Sequence, residues 1–160
     1  MPKPELPKAV FKYEQADDSA GFLLWKITAL WQAQLQKVLS EFGITQTQYA
    51  ILASLAWFAQ HQEAPTQAHL VDHTKIDKMT LSKAIRKLEE VGLVTREDSA
   101  QDSRAFNICF TEQGSQVIQQ AVVAIETADE AFFACLSEPQ LQAYKSLMAT
   151  IIASQSQTKP

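Results

Sequence analysis

Two long stretches without proline, residues 8–64 and 66–138, constrain this chain more than any other feature. Proline removes a backbone donor and clashes with the preceding turn, so extended helical segments need such gaps. The four glycines, Gly21, Gly43, Gly92 and Gly114, fall at apparent joints between apolar-periodic segments. A chain so punctuated reads as mostly helical. Its 160 residues and 46% hydrophobic content suit one domain with a sizeable core. A charged content of 20% does not fit a disordered chain.

Residues 1–18 hold three of the six prolines and read as a flexible arm, with a short tail at 155–160. One domain is expected over 19–154. Residues 19–42 read as a long helix ended by Gly43. Its apolar residues lie on several tracks: Phe22, Trp25 and Ala29 on one, Leu24, Trp31, Leu35 and Val38 on others. So wide an apolar surface implies burial between two bodies. Thr45 or Thr47 can cap a second helix, QTQYAILASLAWFAQ, with Tyr49, Leu52, Leu55 and Trp57 or Phe58 at buried spacing.

A short helix over 66–74 and a tight connection at Lys75 and Ile76 lead to a helix from Asp77, a plausible N-cap, to Val91. Leu81, Ala84, Ile85, Leu88 and Val91 form its apolar stripe. At ~100° per residue, Met79, Ser82, Lys83 and Arg86 point away from that stripe. After Gly92 the period shortens to that of strands. LVTRE (93–97) and AFNICF (105–110) read as a hairpin around a polar loop. Thr111 then caps a helix over 112–134. Ser137 caps a last helix carrying Leu141, Tyr144, Met148 and Ile151.

The net charge of −4 argues against a nucleic-acid partner, but its distribution argues for one. Lys75, Lys78, Lys83, Arg86 and Lys87 share one short segment with a single acid, Asp77, and Arg96 and Arg104 follow soon after. An acidic body with one basic stripe suits local phosphate binding. The order helix, short helix, turn, basic amphipathic helix and hairpin is that of a winged helix-turn-helix. A major groove about 12 Å wide admits one α-helix. Such a helix needs an apolar face toward its scaffold and a polar, cationic face toward the duplex, and 77–91 supplies both. Lys83 and Arg86 can donate to guanine or phosphate, and Thr80 and Ser82 to either. Lys75, Lys78, Met79, Lys87 and Arg96 complete the expected contact surface of this lobe.

At this point the sequence resembles the MarR family of bacterial regulators. The resemblance rests on DKMTLSKAIRKLEEVGLVTRE (77–97), on D-x-R at Asp102, Ser103 and Arg104, and on FTEQG (110–114). It implies a mainly α (α+β) winged helix-turn-helix with a DNA-binding lobe over 45–111. Dimerisation helices would occupy 19–42 and 112–154, making a homodimer. It also implies that Arg104 enters the minor groove and that Asp102 braces the wing, close enough to hold the guanidinium. Ser103 stands where many members carry a second basic residue, and the loop 98–102 is about one residue longer than usual.

The resulting expectation is a sequence-specific transcriptional regulator acting on double-stranded DNA at a pseudopalindromic operator, a repressor released by a small aromatic or amphipathic effector. Trp25, Trp31, Tyr49 and Phe58, with Trp57, Phe132 and Phe133 near them, are the candidate effector pocket, although such aromatics are also ordinary core. The rival expectation is a dimeric helical adaptor or anti-regulator whose winged helix no longer binds DNA. No nucleophile elbow, phosphate-binding loop or zinc-protease motif is present, so no catalytic residue and no cofactor are expected. His69 and His73 share a helix face without an evident third ligand, and no metal is expected. Cys109 and Cys135 sit in no metal-type spacing and read as small hydrophobes. The start has no apolar signal region, and the longest near-apolar stretch, 51–59, is too short to span a bilayer. A cytoplasmic protein without membrane contact is expected.

Overall fold

The computed structural model describes Met1 and residues 11–156; residues 2–10 of the arm and the last four of the tail lie outside the described residues. Six helices and one hairpin follow in order: α1 (Ala20–Leu39), α2 (Gln46–Gln60), α3 (Gln67–Thr74), α4 (Lys78–Glu90), β1 (Val94–Asp98), β2 (Phe106–Phe110), α5 (Glu112–Phe133) and α6 (Glu138–Ser156). Each of the first five helices starts on a side chain that accepts from an otherwise orphaned backbone N–H: Ser19, Thr45, Thr66, Asp77 and Thr111. Gln48 and His69 return the bond at Thr45 and Thr66, closing reciprocal caps. α1 tightens into a 3-10 turn at Ser40–Phe42 and stops at Gly43, whose φ of 65° suits a residue without Cβ.

The core gathers Leu39, Ile51, Leu52, Leu70, Leu81, Ile85, Leu88 and Val94, all fully buried. α2 runs through its middle, touching α1, α3, α4, α5 and β2. Of the predicted stripe of α4, Leu81, Ile85 and Leu88 are buried and Ala84 is half-buried, while Val91, the C-cap beyond the last helical residue, is exposed. β1 and β2 pair antiparallel from Val94↔Phe110 to Asp98↔Phe106. A third segment joins them: Ile108 N–H donates to the Pro65 carbonyl at 2.9 Å, and Thr66 bridges Asn107. This pairing docks the wing against the start of α3.

One small joint holds α4, the wing and α5 together. Thr111 Oγ1 donates to the Gly92 carbonyl at 2.6 Å and accepts from Gly114 N–H at 3.0 Å. Thr111 N–H donates to the Leu93 carbonyl at 3.1 Å. Gly114, buried in the first turn of α5, lies against the Leu93 backbone; a Cβ there would land in the Leu93 carbonyl oxygen, 2.8 Å from the carbonyl carbon.

The two ends of the chain stand apart from this core. α6 has no buried residue, and it exposes Leu147, Ile151 and Ile152. The first half of α1 likewise exposes Phe22, Leu23, Leu24 and Trp25, while its buried residues, Leu35 and Leu39, lie in the second half. Among the described residues no helix is long and apolar enough to cross a membrane.

Candidate nucleic-acid interface

The turn before α4 fixes how that helix is presented. Lys75 ends α3 in the left-handed region, φ 60°, and its N–H donates to the Val71 carbonyl at 2.9 Å. Thr74 Oγ1 accepts from Ile76 N–H at 3.2 Å, so the connection closes within three residues. Asp77 Oδ1 then accepts from Thr80 N–H at 2.9 Å. Hydrogen bonds from Thr80, side chain first and backbone second, hold the Asp77 carboxyl below the usual carboxylate range.

With its apolar stripe inward, α4 leaves Lys78, Met79, Lys83, Arg86 and Lys87 exposed and Ser82 half-buried. The expected cations divide into two groups. Lys75 pairs with Asp72 at 3.0 Å, Lys87 with Glu90 at 3.4 Å, and Arg96 with Glu89 at 3.2 Å. Arg96 Nε is buried and lies beside Glu89 without hydrogen-bond alignment, so this pair braces β1 against α4 more than it presents charge outward. Lys78, Lys83, Arg86 and Arg104 form no ion pair among the described residues, and their charge faces solvent.

Arg104 lies on the wing loop, exposed, as does Ser103. Asp102 is close to Arg104 but not in the manner expected. Its Oδ1 accepts from the Arg104 backbone N–H at 2.9 Å and makes no contact with the guanidinium. An acid two residues before its partner closes an Asx turn more easily than it reaches a long side chain, so Asp102 shapes the loop and not the arginine tip. Ser99 completes the loop: its Oγ accepts from Gln101 N–H and Asp102 N–H, each at 3.3 Å. Arg96 and Arg104 line one shallow cleft of about 210 Å³ with Thr66, Ala105, Phe106 and Ile108.

The four candidate effector aromatics do not meet in one cavity. Trp31 donates Nε1–H to Asp129 Oδ1 at 2.7 Å and lines a cleft of about 250 Å³ with Leu24, Ile27, Thr28, Phe133 and Tyr144. Trp25 lines a separate cleft of about 340 Å³ across the Leu24–Thr28 ridge. Tyr49 is half-buried; burial first, then the charges of Asp129 and Glu126, push its phenol up to about 12. Phe58 is remote from this group. It packs at the end of α2, where all three histidines of the chain gather: His61 lies 4.1 Å from Trp57 between ring centroids, and His73 lies 5.1 Å from Trp57 and 5.3 Å from Phe58. Spacing of the aromatic residues carries no sign of this separation. The Cys109 thiol is pushed up by burial and by Glu97, which disfavours the reactive thiolate; Cys135 is exposed.

A capped amphipathic helix with free cations outward, a three-residue turn before it and an arginine-tipped wing behind it define a winged helix-turn-helix protein. Residues 40–127 match the ArnR1-like winged-helix domain family. The HTH-type transcriptional regulator YdcH of Bacillus subtilis is 35% identical over 123 residues, 77% of this chain and 84% of its own length. In fold, the chain is similar to a MarR-family transcriptional regulator from Rhodococcus (22% identity, TM-score 0.76, 87% of this chain and 96% of that one). It is also similar to MepR of Staphylococcus aureus in a MepR–DNA complex (23% identity, TM-score 0.77, 88% and 99%). The chain belongs to the ArnR1-like winged-helix domain family and to the HTH-type transcriptional regulators, and its fold is the one the MarR-family structure shows.

Proposed function

We propose that the protein is a homodimer that binds an operator sequence-specifically, with α4 in the major groove and the Arg104 wing along the adjacent minor groove. The observation that carries this reading is the outer face of α4, where Lys78, Lys83 and Arg86 stand exposed without an acidic partner among the described residues. The dimer is supported by the apolar surface left on α1 and α6: two helices from opposite ends of the chain, each short of buried residues, present Trp25, Leu147, Ile151 and Ile152 to solvent. An isologous pairing through these helices covers both at once. Repression by occlusion needs no surface beyond these two. A small effector fits the Trp31 cleft, where an aromatic wall meets a carboxylate at the join of α1, α5 and α6. The protein performs no chemistry in this scheme.

Gel shifts on the protein's own promoter region across a salt series test the reading. Operator binding should steepen against salt as the phosphate contacts require, and Arg86→Ala should weaken specific binding by ~1–3 kcal/mol if that arginine reads a base. Absence of specific binding at every salt concentration removes the proposal and leaves the non-DNA-binding adaptor.

A further inference from the structure

Met79 is the anomaly of α4. It is 70% exposed on a face that it shares with Lys83, Arg86, half-buried Ser82 and, three turns on, Glu90, with Lys78 and Lys87 flanking. At ~100° per residue it lies about 160° from Leu81, so it stands opposite the buried stripe, in line with Lys83 and Arg86. Helix propensity does not call for it there, since Lys, Gln and Glu serve as well as Met. It lies in the first turn, the part of a recognition helix whose side chains reach base edges. The neighbouring carboxylate of Asp77 caps the same turn, so this end of the helix is less suited to phosphate than the cationic stretch behind it. Among the base edges of the major groove, the apolar group is the C5-methyl of thymine. A flexible thioether side chain ringed by cations is suited to cover that methyl while Lys83 and Arg86 take polar partners beside it.

We propose that Met79 is a specificity-determining residue that packs on a thymine methyl, one in each half-site. The inference rests on the DNA-binding reading above and deepens it. The test begins with duplexes selected from a random library by the full-length protein. Each thymine of the selected operator is then replaced in turn by deoxyuridine, which removes the methyl and nothing else. At one position per half-site the wild type should lose about fourfold in affinity, the value of one buried methyl group, and about fifteenfold when both half-sites are changed. Met79→Ala should bind thymine and uracil operators alike at those positions, and Met79→Leu should keep most of the discrimination. Equal losses by Met79→Ala on both operators, or no uracil-sensitive position at all, would overturn the assignment while leaving DNA binding intact. Failure to select any duplex, even at low salt, would overturn the DNA-binding reading itself and this inference with it. An unchanged thermal midpoint for Met79→Ala, expected of an exposed side chain, separates lost recognition from lost fold.

Discussion

Replacing Gly114 by alanine sets two known effects against each other, and their magnitudes decide the sign. Exchanging a glycine inside a helix for alanine ordinarily stabilises by ~1 kcal/mol. Here the new Cβ would fall in the Leu93 carbonyl oxygen, 2.8 Å from the carbonyl carbon and 3.2 Å from Cα, and all three atoms are backbone. No side chain can swing aside. Ordinary carbon contacts of about 3.5–4.0 Å require the first turn of α5 to retreat by roughly 1 Å. That retreat pulls on the Thr111 bonds to Gly92 and Leu93, now 2.6 and 3.1 Å. Overpacking costs about 1–3 kcal/mol, and one or two lost hydrogen bonds cost about 1 kcal/mol each. Set against the propensity gain, the net is a loss of roughly 1–4 kcal/mol. For a chain of this size that lowers the thermal midpoint by roughly 2–15 °C. Circular dichroism melts at one fixed protein concentration measure it, because the stability of the proposed dimer would depend on concentration. Gly21→Ala is the control: the nearest atom to its Cβ is Ser19 Oγ at 3.9 Å, so it should be neutral or slightly stabilising. A Gly114→Ala midpoint at or above the parent's would refute the close approach.

Arg104→Ala removes two charges per dimer and should shallow the log–log salt slope of operator binding by about 1.8; an unchanged slope makes the wing structural. Asp102→Ala keeps the guanidinium but releases the Arg104 backbone, so nonspecific affinity should hold while specific affinity falls in the same titrations. Leu147→Asp or Ile151→Asp should lower dimer content and thermal stability together, read by sedimentation and melting; a stable variant that stays dimeric puts the interface elsewhere. The Tyr49 phenol is raised from 10.0 to about 12 by burial and two nearby acids. An unfolded tyrosine ionises first, so the stabilising contribution is full below pH 10 and is lost as pH rises from about 10 to about 12. An ultraviolet titration should show one of the three tyrosines ionising last, and Tyr49→Phe should abolish that late step.

Four of the six helices were legible twice, by apolar period and by a cap at Thr45, Asp77, Thr111 or Ser137, whereas α1 and α3 showed their period but not their caps, Ser19 and Thr66. Thr111 is the clearest case, marking both the end of the hairpin and the start of α5. The pairing of Lys75 with Asp72 and of Lys87 with Glu90 follows helix spacing and was open to inspection. The Arg96–Glu89 contact was not, because it depends on β1 folding back beside α4. The strand-like segment at Pro65 and Thr66 was also hidden: two residues have no period, and a proline there reads as a loop. Asp102 shows a different limit. The D-x-R spacing places the two residues together, but only turn chemistry indicates that the backbone N–H wins over the guanidinium. The aromatic residues mislead most, since nothing in their spacing separates Phe58 from Trp31.

The Thr111 joint and the Trp31 cleft lie near opposite ends of one helix, α5, whose 22 residues span about 33 Å. At one end Thr111 and Gly114 bind α5 to the corner between α4 and the wing. At the other, Asp129 holds Trp31 of α1, and Phe133 reaches Tyr144 of α6 at 5.3 Å between ring centroids. On the proposed reading, the Thr111 bonds tie α4 and the wing to the start of α5. For an occupant of the Trp31 cleft to alter operator affinity, it must therefore bind two tilts of α5 with different strength. In the proposed dimer a duplex would hold the two α4 helices one turn apart, ~34–36 Å, so the tilt of α5, carried along its length and doubled by the two-fold, is the quantity such an occupant would have to change.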